Sequence, residues 1–257
     1  MALTIMTNVP ALNAQNHLQR THAKLSDSLE KVGSGHRINK AADDAAGLAI
    51  SENLRADISS LNQGVRNAED GISLVQVYEG GTREISSMLI RTRELAMQAA
   101  TDTISDRERE LIQYEVDEIK AEIDRLASTT KFIGMDPLLA GESLDVEFQV
   151  GKNNESEVDR IAFDAGNLDL TSAGLDVDGL DFTAREDARD ALDTIDEAIF
   201  NVNSIRAQVG AMQNRLTNTV NAGRTQVENL EAANSRIRDA DIAKESTDLA
   251  KNQMLRQ

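Results

Sequence analysis

Three heptad seams constrain this chain more than any other feature of its sequence. Leu54, Ile58, Leu61, Val65, Ala68, Ile72 and Val75 alternate steps of four and three, and Ile112, Val116, Ile119, Ile123 and Leu126 repeat the rhythm. A third seam runs Ala188, Leu192, Ile195, Ile199, Val202, Arg206, Val209, Gln213, Leu216, Val220, Gly223, Val227, Leu230, Asn234 and Ile237. Steps of this kind put one apolar stripe along a helix and favour shallow-angle, coiled-coil-like packing. The polar interruptions Arg206, Gln213 and Asn234 are positioned to set register. At 1.5 Å per residue the third helix would reach roughly 80–100 Å. A helix of that length takes its partners from elsewhere in the chain or from other copies, so the expected molecule is elongated.

Composition agrees with helices that pack through aliphatic seams. Aromatic residues are 3% of the chain and Trp is absent. Pro10 and Pro137 are the only prolines, which leaves long stretches free of helix breakers. There is no cysteine, which removes disulfides, thiol catalysis and zinc–thiolate sites. The formal charge of −17 argues against nucleic acid as a partner, since phosphate backbones require clustered Lys and Arg. No run of about 18 apolar residues points to a membrane. The first 20 residues lack the basic start and continuous apolar core of a signal peptide.

Between the seams, local chemistry sets the boundaries. Ser105 with Glu108 has capping-box spacing ahead of the second seam. Gly80-Gly81 predicts a kink or break in the run after Val75. Ile85, Met88, Leu89, Leu95, Ala96 and Ala99 restore a helical face beyond it. Residues 129–183 change character: Leu144, Val146, Phe148 and Val150 alternate with polar neighbours, and Ile161 and Phe163 begin a second alternating run after the turn-rich GKNNESEVD. This predicts a β-hairpin at about 140–170. In the first 33 residues, Ala14, Leu18, Leu25, Leu29 and Val32 share a helical face that needs a partner to be stable.

The candidate chemical sites are weak. Asp43 and Asp44 are adjacent, so on a helix their side chains diverge by about 100°. Their expected role is to cap and start the helix that follows. DVDGLD at 176–181 lacks the full ligand series and closing Glu of a calcium loop and is expected to be an acidic surface turn. His17, His22 and His36 form no metal-ligand pattern, and no phosphate-loop or nucleophile-elbow motif occurs. The chain therefore reads as a structural protein, not an enzyme, with no cofactor and no metal.

The segments SGHRINKAADDAAGLAIS, SSLNQGVRNAEDGISLVQVYEGG and LIRTRELAMQAA resemble the N-terminal half of bacterial flagellin. FIGMDPLLAG with FQVG resembles the family's hairpin region, and VGAMQNRLTNTVNAGRTQVENLEAANSRIRDADIAKES resembles its C-terminal arm. The resemblance covers nearly the whole chain, with the motifs in the family's order. It implies a mainly α fold, an elongated antiparallel helical bundle or coiled coil with an inserted β-hairpin region and without the family's variable outer domains. Residues 1–43 would form an N-terminal inner-tube arm and spoke, residues 44–240 the helical outer-tube domain, and residues 241–257 the start of the C-terminal inner-tube arm.

The function it implies is a filament subunit exported unfolded by the flagellar type III route, self-assembled outside the cell into the flagellum and used for swimming. Its partners would be further copies, the filament cap, junction proteins, an export chaperone and the host's flagellin-sensing Toll-like receptor. Ile90, Arg91, Leu95, Gln98 and Glu115 match the face used between protofilaments and by that receptor. Arg37, Asp43 and Asp44 fall at the spoke and helix start. Alternatives are a minor or junction flagellin-like protein, or a coiled-coil binding module or receptor ligand that forms no bulk filament. Met6, His36, Ile90 and Ile133 depart from the family's usual residues, and the family normally continues about twenty residues past KNQMLRQ through an Ala- and Gln-rich helix.

Overall fold

The structure, a computed structural model, describes residues 8–132, 145–164 and 169–256. Its elements in chain order are α1 (Val9–Ser34), α2 (Ala45–Ala99), α3 (Asp106–Thr129), β1 (Asp145–Gln149), α4 (Ser156–Asp159), β2 (Arg160–Asp164), α5 (Arg185–Arg238) and α6 (Ile242–Arg256). The chain divides into two compact units, Leu61–Arg224 and a terminal unit of Met1–Ser60 with Thr225–Gln257. The long helices α2 and α5 contribute residues to both.

In Leu61–Arg224 the seams become a core. Val75, Leu89, Leu95, Val116, Ile123, Ile195, Val202, Val209 and Leu216 are all 2% exposed or less. Of the predicted seam residues, Leu61, Ile112, Val116, Ile123, Ile195, Val209 and Leu216 are buried; Leu54, Ile58, Val65, Ile72, Ile119, Leu192 and Ile199 are partly buried. None faces solvent fully. The antiparallel run of α2 and α5 is tied across by Arg93 Nε on Asp196 (2.6 Å) and Arg224 on Glu69 (2.6 Å).

Gly80-Gly81 does not break α2, contrary to the sequence expectation. The 55-residue helix runs through it. Two glycines cost about 1 kcal/mol each in a helix interior. Tyr78, Thr82, Ile85 and Leu89, buried on the same side, outweigh that cost by packing.

The hairpin pairs β1 with β2 antiparallel, Val146 opposite Phe163 and Phe148 opposite Ile161. Leu144 and Ile133 lie outside the described residues. The connection is not only a turn, as expected, because Ser156–Asp159 closes one helical turn before β2. Two glycines on α2 receive the strand. A Cβ on Gly64 would lie 2.2 Å from the Val150 carbonyl oxygen, and one on Gly71 would lie 3.1 Å from the Phe148 ring. Between them Asn67 Nδ2 donates to the Gln149 carbonyl at 2.8 Å. Gly64 and Gly71 are seven residues apart, two helical turns, so both notches open on one face.

Residues 169–184 pack as an irregular strap. Leu170, Leu175, Val177, Leu180 and Phe182 are buried, while Asp176, Asp178 and Asp181 face solvent. Helix α3 holds the strap: Asp124 accepts from the Ser172 amide and hydroxyl (both 2.8 Å), and Gln113 accepts from the Phe182 amide (2.7 Å). Asp176 sits at φ 56°, a left-handed position that Asp tolerates better than most residues.

Candidate assembly surface

The terminal unit is built from helices that bury little of themselves. Helix α1 starts at Asn8, whose side chain accepts from the Ala11 amide at 3.2 Å, with Pro10 in its first turn. It ends at Gly35, which takes φ 73° and closes onto Lys31 O. Leu25 and Ser28 are its only buried residues, and α6 has none. The two helices pack against each other. Val9, Leu12, Leu18 and Leu29 on α1, and Ile242, Met254 and Leu255 on α6, remain 48–71% exposed. The predicted α1 face is thus split, with Leu25 inside and Leu18 and Leu29 outside. Among the described residues, no helix is long and apolar enough to cross a membrane.

The corner between α1 and α2 is the most densely bonded part of this unit. Asp43 Oδ2 accepts from the Asn39 and Lys40 amides at 3.0 and 2.9 Å. Asp44 Oδ1 accepts from the Gly47 amide at 2.9 Å, as an N-cap does. The expected shared capping role therefore splits: Asp44 caps α2, whereas Asp43 closes the preceding turn. The two amide bonds hold the Asp43 carboxyl below its ordinary range. Ile38, 1% exposed, plugs the corner beneath Gly47.

Arg37 reaches across the chain. Its Nη2 donates to the Ile237 carbonyl at 2.6 Å, and its amide donates to the Arg238 carbonyl at 2.6 Å. His36 forms an antiparallel bridge with Asp239, its Nδ1 lying 3.3 Å from Asp239 Oδ1. Arg238 in turn donates to Glu52 on α2 at 2.8 Å. Asp239 carried no local signal in the sequence, since its partner is some 200 residues away.

On Leu61–Arg224, the residues of the second candidate face come together in part. Arg91 donates through Nε and Nη2 to Glu115 at 3.0 and 2.8 Å, and through Nη1 to Glu94 at 3.0 Å. These bonds, first that to Glu115, keep the guanidinium firmly charged. Leu95, Gln98 and Glu115 line one depression between α2 and α3 with Ile104, Glu108, Leu111 and Ile112. Leu95 forms its floor, being 2% exposed and part of the core. Ile90 stands 49% exposed on α2. Around them Met97, Leu111 and Tyr114 are 54%, 64% and 69% exposed. Sequence periodicity could have marked Leu111 and Tyr114, because both fall off the α3 seam. Glu108 accepts from the Ser105 amide and hydroxyl, both at 2.8 Å, and fixes the start of α3 beside this depression.

Comparison with known proteins gives a consistent result. The bacterial flagellin N-terminal helical region matches residues 5–143, and the bacterial flagellin C-terminal helical region matches residues 192–257. A flagellin of Halalkalibacterium halodurans is 40% identical over 255 residues, covering 99% of this chain and 92% of the relative. The flagellar filament 33 kDa core protein of Treponema phagedenis is 41% identical over 266 residues, covering 98% and 92%. Among solved structures, Bacillus cereus flagellin aligns with a TM-score of 0.54 at 29% identity, over 66% of this chain and 94% of that one. A putative flagellar hook-associated protein of Vibrio parahaemolyticus shares the fold, with a TM-score of 0.60 at 14% identity.

Proposed function

From the premise that the chain belongs to the bacterial flagellin family, we propose how its parts serve the flagellar filament. Members of that family are structural proteins that polymerise outside the cell, and this chain is such a filament subunit. Residues 1–43 and 241–257 serve as inner-tube arms, and residues 44–240 build the outer-tube wall. The observation that supports this division is the exposed apolar surface of α1 and α6, where Val9, Leu12, Leu18, Leu29, Ile242, Met254 and Leu255 stay 48–71% exposed among the described residues. Neighbouring copies supply that cover. Burying apolar area contributes about 25 cal/mol per Å², so covering one of these half-exposed leucines stabilises the contact by roughly 1 kcal/mol.

The depression around Leu95, with Ile90, Arg91, Gln98 and Glu115 on and beside it, is the contact face between protofilaments in this proposal. The same face is the one a flagellin-sensing Toll-like receptor would meet. The filament cap, junction proteins and an export chaperone complete the partners of a subunit exported by the type III route.

The experiment is salt-induced polymerisation followed by electron microscopy. Wild-type protein is expected to form long tubes. Leu18→Asp and Met254→Asp are expected to raise the critical concentration at least tenfold, at about 1.4 kcal/mol per factor of ten, with the monomer's helical circular dichroism unchanged. Tubes formed equally well by both variants would remove the arms from the assembly surface. Persistent wild-type monomers would instead favour a binding module.

A further inference from the structure

At the root of the terminal helices, two short segments far apart in sequence cap each other. The last carbonyls of a helix have no partner inside it and must find one elsewhere. For α5 those of Ile237 and Arg238 find theirs on Arg37, through its guanidinium and its amide, both at 2.6 Å. The debt runs the other way too, because the Ala240 amide, at the start of the link to α6, donates to the Gly35 carbonyl at 2.9 Å. His36 and Asp239 complete an antiparallel bridge between these bonds. Gly35 can end α1 and present its carbonyl there because it adopts φ 73°, which a side chain would disfavour.

We propose that residues 35–37 and 238–240 form a clasp that makes the ordering of α1 and the ordering of α6 one event. If α6 frays back to Arg238, Gly35 loses its donor. If α1 frays forward to Arg37, the carbonyls closing α5 lose theirs. Neither arm can leave without stripping hydrogen bonds from the root of the other. Packing between α1 and α6 adds to this coupling, but Arg37 lies on neither helix, so its contribution can be tested separately.

The test is amide hydrogen exchange on the salt-assembled polymer, reading peptides from 9–34 and 242–256, with peptides from 61–224 reporting that each variant is folded. In the native protein the two arms are expected to share one protection level and one denaturant dependence. Arg37→Met keeps the aliphatic stem and removes the guanidinium, and should lower protection of both arms together by about five- to tenfold. Ala240→Pro removes the donor to Gly35 from the opposite strand and should give the same paired loss. Loss in one arm only, or no loss in either, with residues 61–224 still protected, would overturn the clasp.

Discussion

At the scale of single residues, the polar groups buried without a partner say most about where this fold accepts a cost. Tyr78 is fully buried, meets Phe163 edge-on at 5.8 Å between ring centroids, and has no protein partner for its hydroxyl. Burial alone pushes that hydroxyl well above its ordinary pKa. The ring contributes apolar area and an aromatic contact, while the oxygen contributes only desolvation. Tyr78→Phe is therefore expected to be neutral or stabilising by up to about 1 kcal/mol, whereas Tyr78→Ala should cost about 3–5 kcal/mol. Urea denaturation separates the two, and a clear loss of stability in Tyr78→Phe would show that the hydroxyl is satisfied. Asp43 is the opposite case, a charged group at the surface with two amide donors. Its lowered pKa means the folded state favours the carboxylate over the acid. The stabilisation is complete above the unfolded value of 3.8 and is lost as pH falls through the lowered folded value. Asp43→Ala should melt below wild type at pH 7, and the gap should narrow as pH falls below 3.8.

At the scale of elements, glycines show how the same residue type carries opposite meanings inside one helix. Gly80 has open space where a Cβ would go, and Gly64 has the Val150 carbonyl oxygen at 2.2 Å. Gly80→Ala should raise stability by about 0.5–1 kcal/mol through helix propensity. Gly64→Ala gains the same propensity but must displace Val150, just past β1, and should lower stability by about 1–3 kcal/mol net. Denaturant midpoints check both signs in one experiment. The pair also shows where the sequence was legible. Heptad steps marked α2, α3 and the 54-residue α5, because a long repeat leaves only one helical face for a core. Alternation marked Val146, Phe148, Ile161 and Phe163 as hairpin positions for the same reason. Gly80-Gly81 was misjudged because propensity is local while the packing of Tyr78 and Ile85 is not. The notch at Gly64 and Gly71 was legible only as a seven-residue spacing, with nothing to say that a strand lies across it. Asp124 on Ser172, Gln113 on Phe182 and Arg37 on Ile237 left no trace in the sequence, since one hydrogen bond between distant segments imposes no period.

At the scale of the whole molecule, the net charge is distributed unevenly between the two units. Residues 61–224 hold 32 of the 44 acidic residues and 16 of the 27 basic ones, a net charge of −16. The terminal unit holds the remaining 12 acids and 11 bases, a net charge of −1. Copies that polymerise must bring like-charged units together, which opposes association through a repulsion that dissolved ions screen beyond about 8–10 Å. The near-neutral arms, with their exposed apolar faces, meet no such penalty. The two units should therefore respond differently to charge removal. Replacing the exposed Glu110, Glu118 and Glu197 with Gln should lower the salt concentration at which half the protein sediments as polymer, by roughly twofold or more if screening is the main role of salt. Replacing Glu228, Asp241 and Glu231 with their amides removes as many charges from the terminal unit and should shift that midpoint far less. Equal shifts from the two sets would mean that total charge governs assembly, and that its concentration in residues 61–224 has no separate effect.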